Sequence, residues 1–129
     1  MAKSKILIID DEENLCFLVK MNLEATGRYE VLTATDPREG LKLAKANIPD
    51  LILLDLMMPH MEGSEVAERL MDMPDTQHIP IIFLTALAEK GRVDANMGTI
   101  AGREFVAKPV TTGDLVRKIE AVLRRGPRQ

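Results

Sequence analysis

The chain has no tryptophan, one tyrosine and three phenylalanines, so aromatics make up only 3% of it. A surface that binds single strands by stacking bases on rings has little to work with. Positive charge is not in excess either: 17 Lys and Arg stand against 20 Asp and Glu, for a formal net charge of −3. That balance removes the electrostatic ground for direct nucleic-acid binding. Cys16 is the only cysteine, which excludes an intramolecular disulfide. Its position beside Leu15 and Leu18 in a helical pattern gives it a packing role, with nothing nearby in sequence to lower its pKa. One cysteine and two histidines, His60 and His78, leave no zinc-type cluster. No apolar run approaches the roughly 18 residues needed to span a bilayer. The N-terminus also lacks the charged, then apolar, then small-residue succession of a signal peptide. The expectation is a cytoplasmic protein with no membrane partner.

What is present is a single-domain length, 129 residues with 46% hydrophobic content, enough for one core but not two. Residues 1–125 are expected to form that domain, and 126–129 a tail or the start of a linker. Five short apolar runs (Ile6 to Ile9, Val31 to Thr33, Leu51 to Leu54, Ile81 to Leu84 and Phe105 to Ala107) alternate with longer mixed segments. This alternation predicts βα units around a parallel sheet covered on both faces. Leu15, Leu18, Val19 and Leu23 mark the buried side of a first helix stopped by Gly27. Asp36 and Pro37 open a second, with Leu41, Ala44 and Ile48 inward and Pro49 as terminator. Val66, Ala67 and Leu70 predict a third helix. Thr111 with Asp114 resembles a capping box opening a C-terminal helix that buries Leu115, Ile119, Val122 and Leu123. Between Glu89 and Arg103, with three glycines and few large apolar residues, a short or mobile helix is expected.

Polar residues fall at particular places in this pattern. Asp10 and Asp11 follow the first run, Asp55 the third, Thr85 the fourth and Lys108 the fifth. In an open parallel sheet the carboxyl ends of the strands share one edge, so these five residues converge on one pocket. Three carboxylates there repel by about 4 kcal/mol per pair at ~4 Å and an effective dielectric near 20. A hard divalent cation relieves this, and an all-oxygen donor set suits Mg2+. Lys108 adds a point charge for a phosphate oxygen, Pro109 fixes the turn after it and is a candidate for a cis peptide bond, and Thr85 offers a hydroxyl with Ala86 leaving room beside it. Together they describe phosphoryl transfer to a carboxylate, with Asp55 as nucleophile and the adjacent pair Asp10 and Asp11 as metal holders. His60, in the loop after Asp55, is expected to be solvated, and Met57, Met58 and Met61 to fill loop and core.

The segments Ile-Ile-Asp10-Asp11-Glu12, Leu-Leu-Asp55-Leu-Met-Met-Pro59, Leu-Thr85-Ala86 and Phe105-Val-Ala-Lys108-Pro109 resemble the response-regulator receiver domain of two-component signalling over nearly the whole chain. The resemblance implies a flavodoxin-like strand order 2-1-3-4-5. It also implies that Asp55 is phosphorylated, that Asp11, Asp55 and the backbone carbonyl of Met57 bind Mg2+ directly, and that Asp10 acts through water. Thr85 and Phe105 correspond to the switch pair and Lys108 to the phosphate-binding lysine. The partners implied are a sensor histidine kinase or phosphotransfer protein upstream, and downstream an effector protein or a C-terminal output domain outside this chain. The state is a monomer or a phosphorylation-dependent dimer, with the 89–103 stretch, the fifth strand and the C-terminal helix as contact surface. Apolar Met57 and Leu87, each two residues after a site residue, supply no general base for water. Slow loss of the phosphoryl group is therefore expected, without turnover of an external substrate. The alternative is a Mg2+-dependent aspartyl-phosphate hydrolase, but its usual second aspartate is replaced by Met57.

Overall fold

The computed structural model describes residues 3–58, 61–86, 104–108 and 110–126. Its five strands are β1 (Ser4–Ile9), β2 (Tyr29–Ala34), β3 (Leu51–Asp55), β4 (Ile81–Ala86) and β5 (Glu104–Lys108). They form one parallel sheet in the order β2-β1-β3-β4-β5, as the resemblance implied. The described helices are α1 (Glu13–Ala25), α2 (Pro37–Asn47), α3 (Gly63–Asp72) and α4 (Thr112–Arg125). The helix expected within 89–103, together with Pro59, His60, Leu87, Pro109 and residues 127–129, lies outside the described residues.

Because successive strand residues point to opposite faces, the apolar runs feed two cores. Ile6, Ile8, Leu51, Leu53, Ile82 and Leu84 pack with Cys16, Val19 and Leu23 of α1 and Leu115, Ile119 and Val122 of α4. Leu7, Ile9, Ile52, Leu54, Ile81 and Phe83 face Ala44 of α2 and Val66, Ala67 and Leu70 of α3. A sheet buried on both sides explains strands that are apolar throughout instead of alternating.

Several local expectations are met and several are corrected. Asp36 caps α2, its Oδ1 accepting from the Arg38 N–H at 2.8 Å, and Pro37 is the first helical residue. The Thr111 hydroxyl accepts from the Asp114 N–H at 3.2 Å. The Asp114 carboxylate, however, turns to Arg117, so only the first half of the capping box forms. Leu18 is 50% exposed: the buried stripe of α1 runs through Cys16, Val19 and Leu23, and Leu18 sits about 100° round the helix from Val19. Ile48 is likewise 47% exposed. It is the residue before Pro49, which disfavours the right-handed helical region, and it leaves α2 in the left-handed region at φ 45°.

The strands also run further than their apolar cores. Asp55 and Lys108 are the last residues of β3 and β5, and Thr85 is the penultimate residue of β4; only Asp10 and Asp11 lie beyond their strand. Pairing explains the extension, since Asp55 is in register with Leu84 and Lys108 with Ala86.

The outer edge of β2 is closed by side chains of α1. Glu24 Oε2 accepts from the Val31 N–H at 3.0 Å, while Lys20 Nζ donates to the Val31 carbonyl at 2.7 Å and to Glu24 at 3.0 Å. An unpaired strand edge is a template for another chain, and this pair occupies it. Glu24→Ala is expected to remove hydrogen-exchange protection from the Val31 amide and to cost about 1 kcal/mol of stability. Exchange mass spectrometry and a urea titration check both.

Candidate functional site

The sheet edge at the C-termini of β1, β3, β4 and β5 gathers the residues singled out above. Asp10 continues the β1 backbone, its N–H donating to the Ala34 carbonyl at 3.0 Å, and its side chain is completely buried. Asp10 Oδ1 accepts from the Glu12 N–H at 2.9 Å, and Oδ2 lies 2.9 Å from Lys108 Nζ. Beneath it, the Cys16 thiol donates to the Asp10 carbonyl at 3.3 Å. Burial, reinforced by the charge of Asp10, pushes that thiol up to about 12, so Cys16 is a packing residue as expected.

Asp55 is 4% exposed. Its Oδ1 accepts from the Met57 N–H at 3.3 Å and lies 3.5 Å from Lys108 Nζ. Burial, and then repulsion from Asp10, raise the Asp55 carboxyl to about 7 against the opposing pull of Lys108 and the Met57 N–H. Asp10 is raised as well, chiefly by burial. Burial works against the Lys108 ammonium, but its hydrogen bonds to Glu12 and Asp10 outweigh this and hold it above the usual lysine value. One buried cation does not balance the cluster: Asp10, Asp11 and Asp55 each offer an oxygen within 4.8 Å of the others. An all-oxygen set with excess negative charge is what a hard divalent cation takes.

Thr85 is buried, and among the described residues its Oγ1 has no hydrogen-bond partner. A buried hydroxyl left unpaired is costly. It stands one residue beyond Leu84, the register partner of Asp55, where a group attached to Asp55 could satisfy it. Phe105 is not drawn into this acidic pocket. It is half-buried against the core beneath α2 and α3 and stacks on its register partner Phe83, with centroids 5.4 Å apart and planes at 19°. Met58 and Met61 pack into that same core, whereas Met57 is exposed.

Two residues of the site were not singled out from the sequence. Glu12 reaches Lys108, its Oε1 2.7 Å from Nζ; the signal available was an acidic residue two positions after Asp10. Gly63, the first residue of α3, approaches the backbone of β3 so closely that a Cβ there would lie 2.3 Å from the Asp55 carbonyl oxygen. A glycine eight residues after Asp55 gives no such sign in sequence.

Residues 6–120 match the family described as "Response regulator receiver domain". Over 121 residues the chain is 39% identical to the phosphate regulon transcriptional regulatory protein PhoB of Rhizobium meliloti, covering 94% of this chain and 52% of that one. The chain spans about half the length of that relative and of the similarly matched PhoP of Bacillus subtilis. Among solved structures it is similar to a putative response regulator from Chloroflexus aurantiacus, with a TM-score of 0.84 and 27% identity over 95% of this chain and 99% of that one. A response regulator receiver domain protein from Clostridium thermocellum matches with a TM-score of 0.81 and 33% identity over 95% of both chains.

Proposed function

Because the chain belongs to the response regulator receiver domains, we propose that Asp55 is the phosphoacceptor through which it works as a phosphorylation-controlled switch. The observation that carries this is a buried carboxylate set between an acidic pair and Lys108, with the Thr85 hydroxyl, unpartnered among the described residues, at the same sheet edge. Asp10, Asp11, Asp55 and the Met57 carbonyl would hold Mg2+. When bound, that ion supplies the positive charge that allows the carboxylates to ionise together and offsets charge on phosphoryl oxygens.

The chain's own residues do the rest. An Asp55 oxygen forms a bond to phosphorus as the phosphorus–nitrogen bond of a phosphohistidine donor breaks, and the histidine, already protonated on its other ring nitrogen, leaves as neutral imidazole. Lys108 then binds one phosphoryl oxygen and the Thr85 hydroxyl donates to another. Movement of Thr85 toward the phosphoryl group opens space that Phe105 can follow into, at the expense of its stack on Phe83. A shift from 1:99 to 99:1 between two conformations takes about 5.5 kcal/mol, within reach of several charge-assisted contacts.

On this reading the donor is a sensor histidine kinase or phosphotransfer protein in the cytoplasm, and the listener is an effector protein or an output domain. Native mass spectrometry with Mg2+ and a small phosphodonor should show one added phosphoryl group per chain and, in the same spectrum, a monomer or a phosphorylation-dependent dimer. No added mass would refute the proposal. Repeated turnover of an ordinary phosphate ester would instead favour a hydrolase, for which Met57 provides no second carboxylic acid. With apolar Met57 beside the site, phospho-Asp55 is expected to outlast the seconds scale. A decay complete within seconds, followed by intact mass, would show that water is activated by another group.

A further inference from the structure

Among the described residues Lys108 has three charged neighbours, and the nearest is neither Asp10 nor the proposed phosphoacceptor. Glu12 Oε1 lies 2.7 Å from its Nζ, against 2.9 Å for Asp10 Oδ2 and 3.5 Å for Asp55 Oδ1. Glu12 is the N-cap of α1, yet its side chain makes no capping bond; the carboxylate crosses the site to Lys108 instead. Its own N–H meanwhile donates to Asp10 Oδ1, so its backbone is held by Asp10. The two close partners of Lys108 differ in what it costs to lose them. The Asp10 side chain is fully buried and has no water to return to, whereas the Glu12 side chain is 59% exposed and is rehydrated when released.

We propose that Glu12 is a positioning residue that holds the Lys108 ammonium at the rim of the site in the unphosphorylated protein, and is the partner Lys108 gives up when it takes a phosphoryl oxygen. The inference rests on Asp55 being the phosphoacceptor. Its consequence is that the Glu12 carboxylate competes with the incoming group for one ammonium and so sets how readily Asp55 is modified.

The test uses the full chain, Mg2+ and acetyl phosphate, and compares Glu12→Gln with Glu13→Gln. Glu13 is exposed in the first turn of α1, so its substitution removes the same charge without touching the ion pair with Lys108. Glu12→Gln should raise the rate of Asp55 labelling about two- to fivefold, the size an exposed ion pair supports, and Glu13→Gln much less. In a Lys108→Ala background the Glu12→Gln acceleration should vanish, as a coupling through that lysine requires. Without Mg2+ or phosphodonor, the Nζ resonance of Lys108 should shift in Glu12→Gln and stay put in Glu13→Gln. Equal acceleration by both variants, acceleration that survives without Lys108, or an unmoved lysine resonance would overturn the proposal. Failure of the parent chain to label at Asp55 would instead refute the phosphoacceptor reading, and the resonance comparison still decides the Glu12 contact.

Discussion

Asp55→Asn is expected to abolish labelling by a small phosphodonor and, without Mg2+, to make the protein more stable at pH 8. The loss of labelling follows from removing the proposed phosphoacceptor. The gain in stability follows from burial and from Asp10, which raise the Asp55 carboxyl to about 7 in the folded chain. An acid whose folded pKa lies above its unfolded value binds more protons folded than unfolded between the two. Stability therefore falls as pH rises from about 4 through about 7 and is flat above that window. The charge on Asp55 is then a cost on the order of 2–4 kcal/mol at pH 8, and asparagine removes it. Thermal melts from pH 4.5 to 8 should show the parent chain losing stability across the window and the variant losing distinctly less, the remainder coming from Asp10, whose carboxyl burial also raises. Mg2+ at pH 8 should restore much of the parent's loss by binding the folded state alone and do less for the variant. A parent chain more stable at pH 8 than at pH 5 in the absence of metal would contradict this account of the site.

Gly63→Ala is expected to cost about 3 kcal/mol and to reduce labelling at Asp55 together with stability. The added Cβ would meet backbone, the Asp55 carbonyl oxygen at 2.3 Å and Leu56 Cα at 2.9 Å. It has no flexible side-chain end to push aside, so overpacking here must move the strand or the helix. The Gly63 N–H donates to the Leu56 carbonyl at 2.9 Å, and that bond has to lengthen too. By contrast, the three atoms nearest a Cβ at Gly40 belong to the Ile9 side chain, at 2.6, 2.7 and 2.9 Å, and none is backbone. Gly40→Ala should therefore destabilise less and leave labelling closer to normal; chemical denaturation and intact mass on both variants make the comparison. Equal losses of labelling would show that Gly63 acts on the fold alone.

Much of the architecture was legible because it rests on a short-range pattern. Apolar runs of strand length separated by helical periodicities have few compact solutions, and a two-faced parallel sheet is one of them. The errors came where a neighbour outside the local window decided. Leu18 fits a helical stripe in sequence but lies outside the arc that the sheet covers, and Ile48 is taken out of its helix by the proline after it. The polar residues Asp55 and Lys108 end the apolar runs in sequence, whereas register with Leu84 and Ala86 carries the ladder past those runs.

The sequence by itself determined that acidic, hydroxyl and ammonium groups stand at the ends of strands, and hence that one edge of a parallel sheet gathers them. Residue type and spacing suffice for that, because the topology of such a sheet gathers its strand ends. Only the tertiary structure decided which partner each group takes. Lys108 is shared unequally among Glu12, Asp10 and Asp55, the thiol of Cys16 supports the Asp10 carbonyl, and Gly63 lies against the backbone of β3. Partner choice depends on differences of a few tenths of an ångström and on how deeply each charge is removed from water, and both arise when segments far apart in the chain are packed together.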